Sequence, residues 1–87
     1  MEARLAVEEL EKFKNRLIGF RETLDNEVKS VGKQLNDMDS WNDSKAQEFR
    51  ECSAELTKIF KECDKRTEEQ IQTLDRIIDA LIKYLNS

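Results

Sequence analysis

An all-α fold is predicted by three features of this 87-residue sequence: it contains no proline and only two glycines, good helix formers dominate it, and its apolar residues recur at helical spacing on both sides of one polar cluster. The predicted architecture is a helical hairpin. Two long antiparallel helices, residues 2–38 and 43–85, make a single domain over 1–87. A chain this short buries a smaller share of its surface than a larger protein, so its own core is thin.

The first helix is read from Leu10, Phe13, Leu17, Phe20, Leu24, Val28, Val31, Leu35 and Met38, where every step is three or four residues. Leu5 and Val7 extend the pattern back toward Glu2. Gly19 and Gly32 lie off this stripe, and each costs about 1 kcal/mol relative to alanine in a helix interior.

The stretch Asp39-Ser40-Trp41-Asn42-Asp43-Ser44 is the turn. Its short polar side chains bond nearby backbone and favour turns and helix N-caps over helix interiors. Two caps are available for the second helix: Ser44, which has Gln47 at capping-box spacing, and Asp43, whose charge suits the positive helix end.

Beyond the turn the stripe resumes as Ala46, Phe49, Ser53, Leu56, Phe60, Cys63, Thr67, Ile71, Leu74, Ile78, Leu81 and Leu85. The phase carries through, so one continuous helix is expected. Thr67 and Gln70 resemble another capping box, and the alternative is a third helix starting in 64–70.

Helices joined by a short loop lie antiparallel, and residues that meet should have numbers summing to about 84. That rule sets Leu35 against Phe49, Phe20 against Cys63 and Phe13 against Ile71. It leaves Ile77, Leu81, Ile82, Tyr84 and Leu85 only partly covered by the first helix. Apolar pairs such as Leu17-Ile18 and Ile59-Phe60 widen the stripe beyond what one partner helix buries. A homodimeric four-helix bundle is therefore expected, with those five residues at the dimer interface.

Composition excludes several function classes. The 15 basic and 19 acidic residues, net charge −4, are mixed along the chain, so no basic stripe for nucleic acid is present. Their helical spacing gives surface pairs such as Glu11-Lys14, Asp25-Lys29 and Asp79-Lys83, each worth about 0.2–0.5 kcal/mol. No apolar run approaches the roughly 20 residues of a membrane span. Met1-Glu2-Ala3-Arg4 lacks the order of a secretory signal, so synthesis as a cytoplasmic chain is expected.

No histidine is available for general base work or for the Glu-x-x-His ligands of di-metal bundles, and no glycine-rich loop could cradle a phosphate. A non-enzymatic protein with no catalytic residues, metal site or cofactor is expected. Cys52 and Cys63 lie about 16 Å apart on one helix, too far for a disulfide. They are expected to be reduced space fillers, with Cys63 on the inner stripe and Cys52 beside it.

A chain of this size with a lone tryptophan in a mid-chain turn resembles the WXG100 (ESAT-6-like) family. The match is Trp41-Asn42-Asp43, followed by Ala46 and by Phe49 eight residues after the tryptophan. Asp43 stands where that family usually has glycine, and no acidic residue follows Tyr84 at the family's four-residue spacing. The resemblance implies a hairpin that dimerises and is exported, without a cleavable signal peptide, through a type VII (ESX-type) secretion system. Its partners would be a second copy, a WXG100-like protein or a component of the secretion machinery.

Trp41, Asn42 and Asp43 are the candidate partner-recognition turn, and Met38, Ala46 and Phe49 its packing. Two readings of Trp41 stand: a side chain closing the hairpin end over Met38, Ala46 and Phe49, or an exposed anchor for a partner. A cytoplasmic hairpin adaptor unrelated to secretion is the alternative function.

Overall fold

The computed structural model describes residues 2–87 and contains two helices, α1 (Ala3–Asp37) and α2 (Ser44–Asn86), packed as an antiparallel pair 66 Å long. The helix bounds fall one residue from those expected at each end. Glu2, Met38 and Asp43 act as caps and so stand just outside the helices. The Glu2 carboxylate accepts from the Arg4 N–H at 3.0 Å, which satisfies one of the free donors at the start of α1. Met1, which the expected pairing set beyond Leu81 at the far end of α2, lies outside the described residues.

The helix α2 runs unbroken through 64–70, so no third helix forms. Thr67, the expected cap there, instead donates its hydroxyl to the Cys63 carbonyl one turn back at 2.9 Å.

The burial pattern defines the seam between the helices. On α2 it follows Ala46, Arg50, Ser53, Thr57, Phe60, Asp64, Thr67, Ile71, Leu74, Ile78 and Leu81, alternating steps of four and three. This is a seven-residue repeat of the kind that keeps one seam facing a partner helix. On α1 the matching residues include Leu10, Lys14, Leu17, Arg21, Val28, Gly32 and Leu35. Only Ala46 and Ile78 are buried among the described residues.

The seam is therefore rotated from the apolar stripe. Phe13, Phe20 and Val31 were expected to face α2, yet they are 55%, 61% and 56% exposed. Arg21 against Asp64 replaces the expected Phe20 against Cys63, and both cysteines are exposed. The physical reason lies in the width of the stripe: one partner helix covers only one edge of it. The hairpin closes on the edge where small and charged residues are interspersed with aliphatic ones and Phe60, and leaves Phe13, Phe20, Val31 and Phe49 on the open edge.

The charged seam residues are paired rather than stranded. Arg21 makes a two-pronged contact with the Asp64 carboxylate, Nη2 to Oδ2 at 3.0 Å, and reaches Glu68 at 3.3 Å. Lys14 Nζ donates to Asp75 at 2.7 Å across the helices, in place of a local pair with Glu11. Aliphatic stems of Lys14 and Arg21 cover the seam while their heads reach its polar border. Asp25–Lys29 does form as a local pair, at 2.9 Å.

Candidate protein-binding site

The turn is built by satisfying the backbone groups that two helix ends leave free. The Met38 N–H donates to Leu35 at 3.4 Å as α1 ends, and the Trp41 N–H donates to the Met38 carbonyl at 3.3 Å. Of the two caps the sequence offers, Asp43 is the one used: its carboxylate accepts from the Ala46 N–H at 2.9 Å. The Gln47 side chain turns away to Glu51, so the capping box with Ser44 does not form.

Arg50 completes the turn. Its Nη2 donates to the Met38 carbonyl at 3.1 Å and to the Trp41 carbonyl at 2.9 Å, clamping the loop onto the first turns of α2. Sequence reasoning passed over this residue because the apolar stripe was phased through Phe49. A signal existed: Arg50 falls four residues after Ala46 and three before Ser53, a charge in the seam beside free carbonyls.

The indole of Trp41 is half-buried and packs on Phe49, ring centroids 5.6 Å apart and planes tilted by 47°. Ala46 is fully buried beneath the turn, whereas Met38 and Phe49 are 37% and 58% exposed. The hairpin end thus carries an aromatic pair with one side held and one side presented. Asn42 is exposed.

From this end an apolar groove runs along one side of the hairpin. Near the turn it has a volume of about 300 Å³ and is lined by Val31, Leu35 and Met38 of α1 and Phe49, Cys52 and Leu56 of α2, with Gln34 and Ser53. Farther along, Phe13 and Leu17 face Arg66, Thr67, Gln70 and Leu74 around a second hollow of about 320 Å³. Phe49, Leu56, Cys63, Gln70, Ile77 and Tyr84 follow at seven-residue steps, so they form one row on α2. Each immediately precedes a seam residue, as Phe13, Phe20 and Val31 do on α1.

The opposite side is polar, bordered by the Lys14–Asp75 and Arg21–Glu68 pairs. This division separates the five expected interface residues. Ile77 and Tyr84, 44% and 71% exposed, belong to the apolar row, and Leu81 lies half-buried in the seam. Leu85 continues the seam spacing beyond the start of α1. Ile82, seven residues after Asp75, shares the polar side.

Pairing across the seam shifts the charged groups that make it. The Arg21 hydrogen bond holds the Asp64 carboxyl below the usual aspartate range, against the opposing effect of desolvation. The Lys14 ammonium is raised by its hydrogen bond to Asp75. Among the described residues no group of three or more acidic or cysteine side chains converges as a metal ligand set, and no helix is long and apolar enough to cross a membrane. What the arrangement presents is an apolar face and an aromatic turn. No protein-family model matches this chain, and no curated protein matches it.

Proposed function

We propose that this chain is a non-catalytic helical hairpin that acts by protein–protein interaction, binding another helical protein along its apolar face as a substrate or partner of a type VII secretion system. The observation that supports this is the surplus of exposed surface. A compact monomer of 10.3 kDa would expose about 5,400 Å² by the usual size scaling, and the hairpin exposes 7174 Å². The difference, roughly 1,800 Å², exceeds the ~800 Å² that each partner buries in a standard interface. Phe13, Phe20, Phe49, Leu56, Ile77 and Tyr84 are among the exposed side chains, in register along one side, which is the form of a helix-pairing surface.

The secretion reading rests on the WXG100 resemblance, with the Trp41 turn as the element that a partner grips. Export of the intact, uncleaved chain from a producing cell that carries a type VII system, and its loss in Trp41→Ala with helix content unchanged, would support it. A second reading, a cytoplasmic hairpin adaptor, is favoured by Asp43, which works as a helix cap in its own right. Retention of the chain inside the cell, bound to a partner through the same face, decides for the adaptor.

A further inference from the structure

We infer that the turn half of the apolar face takes a basic amphipathic helix from another protein, its apolar stripe in the groove and its lysine or arginine side chains along both edges. This rests on the protein-binding reading above and states the chemistry of the partner.

The groove beside the turn is edged by carboxylates on both helices. Glu27 of α1 lines its inner end with Val31, Ser53 and Leu56, which also line the hollow next to Met38 and Phe49. Asp37, one turn beyond Gln34, stands on the same edge nearer the turn. On α2, Glu48 and Glu55 lie four residues before and three after Cys52, so they share its outer edge. All four are exposed. Lys45 also stands on the α2 edge, where it is bound to Glu48 at 3.0 Å. Among the described residues Glu27, Asp37 and Glu55 enter no ion pair of the hairpin's own, so their charges are left for a partner.

The other lysines of this half lie on the opposite side. Lys29 pairs with Asp25, which lines a polar hollow with Arg21 and Asp64, and Lys33 follows Lys29 by one turn. Lys61 is seven residues before Glu68, the partner of Arg21 on the polar border, and Lys58 lies one turn before Lys61. Charge that is mixed along the sequence is thus sorted by side near the turn. An apolar floor between acidic edges attracts a helix whose apolar stripe is bordered by cations and repels one bordered by acids. The length of the cationic stretch is bounded too. From Glu27 to Asp37 the helix rises about 15 Å, three turns, and farther along Arg66 lines the second hollow with Phe13 and Leu17. The second copy expected from the sequence would cover the same stretch, so the two occupants exclude each other.

Two synthetic peptides of about 14 residues, four helical turns, test this on the full chain. Both carry one leucine stripe at helical spacing, flanked by lysines in the first and by glutamates in the second, and binding is read as fluorescence anisotropy of a dye on the peptide. The lysine peptide is expected to bind at least about tenfold more tightly at low salt, the difference shrinking toward about 1 M salt, where charges are screened beyond ~3 Å. Glu27→Lys with Glu55→Lys is expected to reverse the preference. Glu22→Lys with Glu51→Lys makes the same change in net charge on the polar side, where Glu22 lines the polar hollow and Glu51 shares the row of Lys58, and is expected to leave the preference intact. In the Cys63→Ser chain a bulky maleimide on Cys52, which lines the groove, is expected to block the lysine peptide. Equal binding of the two peptides, or a preference reversed as fully by the polar-side pair, overturns the basic helix as occupant. If the Cys52 label still blocks both peptides in that case, the wider protein-binding reading stands. A chain that binds neither peptide and also stays monomeric overturns both.

Discussion

Arg21 and Asp64 join the two helices at mid-length, the guanidinium fork closing on both carboxylate oxygens where an aromatic contact was expected. Because the pair is partly exposed, its value lies in register: sliding one helix by a turn would leave both charges unpaired over the seam. Replacing both with leucine should leave melting temperature equal or higher while loosening helix pairing. Mass-resolved cross-linking between α1 and α2 would detect the loss of a single register.

The same pair sets an acid limit. Asp64 is held below its ordinary value by Arg21, so its contribution is complete above the unfolded aspartate value near 3.9 and is lost as pH falls through the lowered one. Thermal stability of the hairpin should decline below about pH 4. Asp64→Asn, which cannot ionise, should start lower and show a shallower decline, measured by circular dichroism melts across pH 2–6.

Arg50 is the residue on which the turn depends. Arg50→Ala leaves the Met38 and Trp41 carbonyls without that donor and should cost about 1–3 kcal/mol with helix content retained. Lysine at this position cannot present the fork and should rescue only part. Urea unfolding followed by Trp41 fluorescence reads both the stability and the turn.

The exposure of Phe49 inverts a simple expectation about the aromatic pair. Taken as core, Phe49 would be the residue whose loss unfolds the chain, yet it is 58% exposed and Trp41 is the better covered of the two. Trp41→Ala and Phe49→Ala should both lose the ring contact, worth about 0.5–1.5 kcal/mol, with Trp41→Ala the costlier in the isolated chain. Parallel denaturant titrations give the order directly.

Neither glycine is required by backbone geometry. An added methyl at Gly19 meets open space, and at Gly32 it comes within 4.0 Å of the Ser53 hydroxyl, an ordinary contact. Gly19→Ala and Gly32→Ala should each stabilise the helix by about 1 kcal/mol, seen as a higher melting temperature.

The helices and the turn were legible because each is a local matter of helix propensity and short polar side chains, whereas the cap was legible only as a choice between Ser44 and Asp43. The rotation of the seam was not. A stripe containing Leu10, Phe13, Leu17, Phe20 and Leu24 states that a wide face is apolar, but not which edge of it the neighbouring helix covers. That choice was settled by Lys14 and Arg21, which read as surface charges until Asp75 and Asp64 are seen opposite them. Arg50 was hidden for the same reason, since the carbonyls it clamps exist only once the turn has formed.

The open aromatic edge is proposed as the face on which a second copy of the hairpin sits, and Phe20, 61% exposed on that edge, is the side chain on which such self-association should depend. Sedimentation equilibrium of the wild-type chain and of Phe20→Glu at micromolar concentration is the measurement. A dimer is expected for the wild type and a monomer, or a dimer weakened by at least about tenfold, for the variant. A wild-type chain that remains a folded monomer, or a Phe20→Glu dimer as tight as the wild type, would contradict it.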